Sequence, residues 1–228
     1  MLHFNAATLS LALITEAYEY TQNSRKTVHQ PERGSRTIVN RFHKWYCRSG
    51  HWKRELQSKI LPWALRDVEL GDSVLEIGPG PGMTTDCLRG RAKSIECLEI
   101  DPEMVDSLGH RLLDSNVHVQ QGDATAMPYS DCLFSAVVSF TMLHHVPSLA
   151  LQNQLFAEVH RVLRPGGVFA GVDSLPSTLM RIIHLGDTMV AVEPATLDGR
   201  LKSAGFRSIR VELGTGRFRF SAKRRFDG

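Results

Sequence analysis

The sequence predicts an α/β domain: a doubly wound, mostly parallel sheet preceded by a helical N-terminal extension. Three observations carry that expectation. An apolar run, Val74-Leu75-Glu76-Ile77, is followed at once by glycines at alternate positions, Gly78, Gly80 and Gly82, and then by a helical composition from Met83 to Leu88. Strand-like and helix-like stretches alternate through residues 73–173, the order that builds parallel strands with right-handed crossovers. The 228 residues are 42% hydrophobic and 22% charged, which suits one compact soluble domain with an extension. The expected division is 1–70, a helical extension or lid that is partly loose, and 71–228, the main domain.

The elements follow in order. Leu9, Leu11, Leu13 and Ile14 offer one helix face, and 22–36 is a polar linker with Pro31 and Gly34. Trp52, Leu56 and Ile60 recur at i, i+4 and i+8, in an aromatic stretch with Phe42, Trp45, Tyr46 and Trp63, so a helix packs here on the main domain. Pro62 is expected to kink or end it. Gly71-Asp72 turns into the first strand, and 94–100 is the second. Asp101 is a good N-cap and Pro102 suits the first helical position, with Met104, Val105, Leu108 and Leu112 as the apolar stripe. Residues 117–121 form a third strand and 133–140 a fourth, nearly all apolar as a central parallel strand should be. A helix over 151–163 is stopped by Pro165-Gly166-Gly167, and 168–172 is the fifth strand. A helix over 196–204 closes at Gly205. Two strands, 207–213 and 217–221, then flank Gly214-Thr215-Gly216 as a hairpin, with Phe218 and Phe220 on one face and Arg217 and Arg219 on the other.

Composition narrows the function classes. No stretch reaches the roughly 20 apolar residues of a membrane span, and residues 4–14 lack the flanks of a signal peptide. The four cysteines, Cys47, Cys87, Cys97 and Cys132, are scattered, with no histidine at ligand spacing. They read as reduced thiols of a cytoplasmic protein, not as a disulfide framework or a zinc site. The net charge of +3 conceals +8 over residues 21–60 and +6 over 207–225, against −11 elsewhere. Basic ends fit either an anionic partner or two solvated faces.

The glycine turn lets backbone approach a ligand, but Met83 stands where a dinucleotide fingerprint needs glycine, and no lysine follows as a P-loop requires. Glu76, inside the strand, needs a partner such as a cationic ligand or backbone N–H groups. Glu99 lies 21 residues after Gly78 at the end of the second strand, where a carboxylate accepts from the two hydroxyls of a ribose. After the third strand, Asp123 of Gly122-Asp123-Ala124 can accept from an exocyclic amine while the next N–H donates to a ring nitrogen. Singly these are a surface charge and a turn residue; at successive strand ends they converge on one ligand.

Glu76-x-Gly78-x-Gly80-x-Gly82, Glu99, Gly122-Asp123-Ala124, Phe134 and Arg161-Val162-Leu163-Arg164-Pro165-Gly166-Gly167 together resemble the class I S-adenosylmethionine-dependent methyltransferases, in particular their small-molecule "type 11" branch. The resemblance runs through about residues 72–213. It implies a Rossmann-like, seven-stranded sheet whose last strand is antiparallel, with S-adenosylmethionine over the glycine turn. It places Glu99 on the ribose, Ile100 against the adenine, Asp123 and Ala124 at the adenine edge, Glu76 near the methionine amino group, and Phe140 among the cofactor residues. The chain departs in having Phe134-Ser135 where the family has Phe-Asp, and in a short 174–194 segment. The implied activity is methyl transfer to a small-molecule acceptor, with His144 and His145 as candidate bases or as residues that fix their loop. Residues 75–82 with Glu99-Ile100-Asp101 also resemble the ribosomal RNA adenine dimethylases, but their Asn-x-Pro-aromatic motif is replaced by Ser139-Phe140-Thr141-Met142-Leu143. RNA methylation is therefore the lesser reading, beside that of a non-catalytic S-adenosylmethionine-binding module.

Overall fold

A computed structural model of the chain describes residues 50–177 and 189–226. The helix face at Leu9–Ile14, the aromatics before residue 50, Cys47, and the Trp52 side chain lie outside what is described. The described residues all belong to the second of two compact units, Ile38–Gly228.

Seven strands form one sheet: β1 (Ser73–Ile77), β2 (Ser94–Glu99), β3 (Val117–Gln121), β4 (Phe134–Phe140), β5 (Leu163–Ser174), β6 (Arg207–Gly214) and β7 (Arg217–Lys223), in the order β3-β2-β1-β4-β5-β7-β6. Strands β1 to β5 pair in parallel, and β7 runs antiparallel to both β5 and β6. The sheet thus has the single reversed strand that the resemblance implied. From β1 the chain winds one way to β3, then restarts beside β1 at β4 and winds the other way. Such a reversal leaves a crevice at the carboxyl ends of the two inner strands.

Alternating side chains of the strands divide the core into two layers. Leu75, Ile77, Val137, Phe169, Phe218 and Phe220 pack with α5 (Leu149–Val162) and α6 (Pro194–Ser203). Val74, Ala136, Val138, Val168, Ala170 and Val172 pack with the N-terminal helices, α3 (Met83–Leu88) and α4 (Pro102–Arg111). Among the described residues no helix is long and apolar enough to cross a membrane.

Several elements differ locally from expectation. Helix α1 (Gly50–Glu55) continues through a π-helical turn (Leu56–Ile60) into α2 (Leu61–Ala64), and Leu56 and Ile60 are buried as their spacing predicted. Pro62 does not end the helix. The widened turn sets it at the start of α2, where a missing N–H costs nothing. Helix α5 begins two residues early because Ser148 caps it, its hydroxyl accepting from the Leu151 N–H at 3.1 Å. Strand β5 begins at Leu163, so Pro165-Gly166-Gly167 lies within it. The pairing jumps from Phe134↔Leu163 to Ala136↔Val168, a bulge that takes up the three residues. Arg224 closes this corner, donating to the carbonyls of His160, Arg161 and Leu163 at 3.0, 3.0 and 2.7 Å, a cation on the last carbonyls of α5. Ser135, the departure from the family's Asp, braces the amino end of the sheet: its Oγ accepts from the Ser73 N–H at 3.0 Å and shares its proton between the carbonyls of Leu70 and Ser73. Asp101 caps α4 as expected, accepting from the Glu103 N–H at 3.0 Å. The hairpin closes on Gly214↔Arg217 through Thr215 and Gly216, with Phe218 and Phe220 buried.

Two glycine substitutions should move stability in opposite directions. At Gly171 in β5 an added Cβ would lie 2.0 Å from the Ser139 carbonyl oxygen and 3.0 Å from the Phe220 ring. Gly171→Ala is expected to destabilise at or beyond the top of the ~1–3 kcal/mol range of overpacked cores. At Gly199 in α6 a Cβ meets nothing within 4 Å, so Gly199→Ala should stabilise by roughly 0.4–1 kcal/mol. Equilibrium denaturation of both variants checks the pair.

Candidate functional site

The turn after β1 is left-handed at all three glycines, with φ of +63° at Gly78, +53° at Gly80 and +79° at Gly82, a conformation that L side chains resist. Their surroundings differ. A Cβ at Gly78 would sit 2.3 Å from Cγ of Met142, and one at Gly82 2.3 Å from Cδ1 of Leu108, whereas one at Gly80 meets nothing within 4 Å. The outer glycines are thus required by packing, and the middle one leaves its Cβ side open. Arg111 of α4 steadies the turn, donating to the carbonyls of Pro81 and Gly82 at 3.1 and 3.3 Å while pairing with Asp86 at 2.7 Å.

Glu99 ties this turn to the end of β2. Its Oε2 accepts from the Gly80 N–H at 3.0 Å, and its Oε1 from the N–H groups of Ile100 and Asp101 at 2.9 and 3.0 Å. Burial pushes its carboxyl above the usual range, and the three N–H groups pull against that. Beside it the Ile100 side chain is 44% exposed. The Gly122 N–H donates to the Glu99 carbonyl at 2.9 Å, bringing the end of β3 alongside. There the exposed Asp123 accepts from both the N–H and the hydroxyl of Thr125 at 2.8 Å, and Ala124 packs half-buried on the core. The structure therefore gathers Gly80, Glu99, Ile100, Asp123 and Ala124 along three adjacent strand ends.

Glu76 faces elsewhere. It is 1% exposed and lies on the α3 side of the sheet, accepting from the hydroxyls of Thr84 and of Thr85 (2.6 Å), with the Cys97 thiol at 3.8 Å. Its partners are thus side-chain hydroxyls, which sequence reading did not weigh. Burial, opposed by those donors, raises its pKa to about 7. Phe140 is likewise 6% exposed, in the core layer under the N-terminal helices.

On the other side of the crevice, β4 ends in Thr141, held at φ +53° with its N–H on the Val172 carbonyl at 2.8 Å. Met142, which lies against Gly78, leads into a 3-10 turn (Leu143–His145). His144 is 3% exposed, its Nδ1 2.5 Å from Oδ1 of the fully buried Asp173, whose Oδ2 accepts from the His144 N–H at 3.3 Å. Gln152 donates to the carbonyls of Leu143 and Val190 at 3.2 and 2.9 Å, and the Val190 N–H meets the His144 carbonyl at 2.8 Å. His145 is half-buried, with its ring centroid 4.2 Å from that of His144. Asp173 was missed in the sequence. Its signal was a carboxylate directly after an apolar strand, as at Glu99.

Residues 75–171 match the family described as a methyltransferase domain. Over 144 residues the chain is 33% identical to a Mycolicibacterium smegmatis protein named "probable S-adenosylmethionine-dependent methyltransferase", covering 60% of this chain and 52% of that one. Over 68 residues it is 41% identical to a Thermococcus onnurineus protein named "probable ribosomal RNA small subunit methyltransferase A", covering 30% and 24%. The PH0226 protein of Pyrococcus horikoshii shares the fold at a TM-score of 0.68 and 16% identity, over 79% of this chain and 94% of that one. The chain spans between about a quarter and about half the length of the curated relatives named here.

The raised pKa of Glu76 gives stability a pH dependence. Between its ordinary value of 4.5 and about 7 the folded chain holds this proton more tightly than the unfolded one. The contribution is therefore complete below pH 4.5 and lost as pH rises to 7, a change on the order of 3 kcal/mol. Glu76→Gln should remove that slope in denaturation measured from pH 4.5 to 8; an unaltered slope would assign the dependence to other groups.

Proposed function

We propose that this chain, which carries a class I S-adenosylmethionine-dependent methyltransferase domain, transfers a methyl group to a small-molecule acceptor at the carboxyl ends of β4 and β5. The observation that carries the reading is the left-handed Gly80, open on its Cβ side and bonded to Glu99. A ligand can approach the backbone there without meeting a side chain.

The surrounding residues fit the cofactor. Glu99 is the ribose residue, the exposed Ile100 side chain offers one face for the adenine, and Asp123 with the Ala124 N–H reads the adenine edge. Glu76, buried behind Thr84 and Thr85, acts at the methionine end through the start of α3, and Phe140 supports the floor of the site. When bound, S-adenosylmethionine supplies a methyl group on a sulfonium, whose departure as a thioether needs no help from the protein. The chain's task is to align the acceptor and exclude water. His145, half-buried, takes the acceptor's proton where one must be lost, and His144, held by Asp173, positions it. The buried Leu143 and the absence of a Pro-aromatic pair after β4 leave no platform for a target base, which favours a small molecule over an RNA base.

Two measurements test the reading. Gly80→Val, which adds a branched side chain at φ +53°, and Asp123→Ala should each weaken S-adenosylmethionine binding at least tenfold by calorimetry. Unchanged dissociation constants in both would sink the site. In a labelled-methyl transfer screen, His145→Ala should lower turnover while leaving cofactor affinity intact. A chain that binds the cofactor but transfers to no acceptor would be a binding module instead.

A further inference from the structure

The outer face of the β6–β7 hairpin carries charge that methyl transfer does not use. Antiparallel pairing sets Gly214 beside Arg217, Glu212 beside Arg219, Arg210 beside Ser221 and Arg207 beside Lys223, so each pair projects to the same side. That side is opposite Phe218 and Phe220, which are buried in the core. Five cations and one carboxylate thus share a ledge two strands wide. Glu212 is taken up by Arg219 at 2.6 Å, by Arg66 at 2.9 Å and by the Trp63 indole N–H at 3.1 Å, and Arg219 chiefly holds its pKa down to about 2. Among the described residues, Arg210, Arg217 and Lys223 enter no ion pair. A cleft opens beside the ledge, with Ala64, Arg66 and Asp67 as its wall and Arg210, Arg219 and Ser221 on its floor.

The ledge is directional. Its Arg217 end is level with Ser174 at the carboxyl end of β5, and its Lys223 end with Val168 near the other edge of the sheet. Arg217 and Lys223 stand roughly 20 Å apart along β7, with Ser221 and the ion-paired Arg219 between them, the latter also donating to the carbonyls of Trp63 and Arg66 at 3.0 and 3.1 Å.

We propose that this ledge binds the phosphodiester backbone of a nucleic-acid strand. The inference goes beyond methyl transfer and does not depend on it. Four cations outside any ion pair among the described residues, Arg207, Arg210, Arg217 and Lys223, spread over that length suit a linear polyanion better than a single anion. A membrane surface fits less well, because the exposed apolar side chains nearby, Leu213 and Phe226, lie at opposite ends of the hairpin and form no skirt around the charges. The aromatic residues of β7 face inward, and the half-buried Trp63 ring is taken up by Gly214 and Arg219, so recognition is by phosphate and indifferent to sequence.

The test is binding of the full chain to a short uridine oligonucleotide across a salt series. Neutralising about four phosphates of a single strand gives a slope of about −3 in log K against log salt, a loss of about fifty-fold between 50 and 200 mM. Replacing Arg210, Arg217 and Lys223 together by Gln should reduce that loss to about threefold and weaken binding at least tenfold at the lower salt. Cofactor affinity and thermal midpoint should stay unchanged, which keeps a loss of binding distinct from a loss of fold. An adenosine oligonucleotide should behave as the uridine one does. Absence of binding at 50 mM salt, equal binding by the Gln variant, or capture of phosphatidylserine vesicles in place of RNA would each overturn the proposal.

Discussion

Taking a carboxylate out of water costs several kcal/mol unless donors meet it, and the ends of β1 and β2 are arranged around meeting that demand at Glu99. Its two oxygens accept three backbone N–H groups: Gly80 in the glycine turn, and Ile100 and Asp101 where β2 gives way to α4. One side chain thereby fixes the separation of two chain segments that sequence alone sets 19 residues apart. The open position at Gly80, the exposed Ile100 and the capped start of α4 all take their places from it.

Two further carboxylates are buried at the same end of the sheet, and each is met differently. Glu76 is held by hydroxyls of α3, which latch that helix to β1. Asp173 is held by the His144 ring and two backbone N–H groups, including that of Ser174 at 2.6 Å, which fasten the turn after β4 to β5. The divided donors explain the divided roles. Backbone donors at Glu99 leave a rigid frame facing the crevice, whereas side-chain donors at Glu76 close that carboxyl off behind a helix. Met142 against Gly78 joins the two halves, so the glycine turn is packed from the end of β4 as well as from α4.

Much of this was legible in the sequence because it rests on short-range rules. The Val74–Ile77 run, the glycine turn after it, the Asp101-Pro102 helix start and the Gly214–Gly216 hairpin are each specified within a few residues, and each was found. What escaped depends on side-chain partners and strand registers that no local pattern marks. Nothing local to Glu76 announces Thr84 and Thr85, and Asp173 acquires meaning only when β4 lies beside β5. The Pro-Gly-Gly motif looked like a helix stop because its other use, as a bulge opposite Ser135, requires knowing the register of β4. At Pro62 the local rule predicts a kink or an end; a π-helical turn just before it keeps the chain helical for two more residues, to Ala64.

The position of β7 bears on how such a chain can assemble. Among the described residues it is the latest strand in sequence, yet it lies inside the sheet, between β5 and β6. Strand β6 therefore has no neighbour to pair with until β7 has inserted, and Phe218 and Phe220 bring the final apolar contribution to the layer under α5 and α6. The first five strands can gather while that layer stays open, and closure waits for β7. The fold thus couples its last cooperative step to a long-range pairing, which slows folding and prolongs exposure of apolar surface.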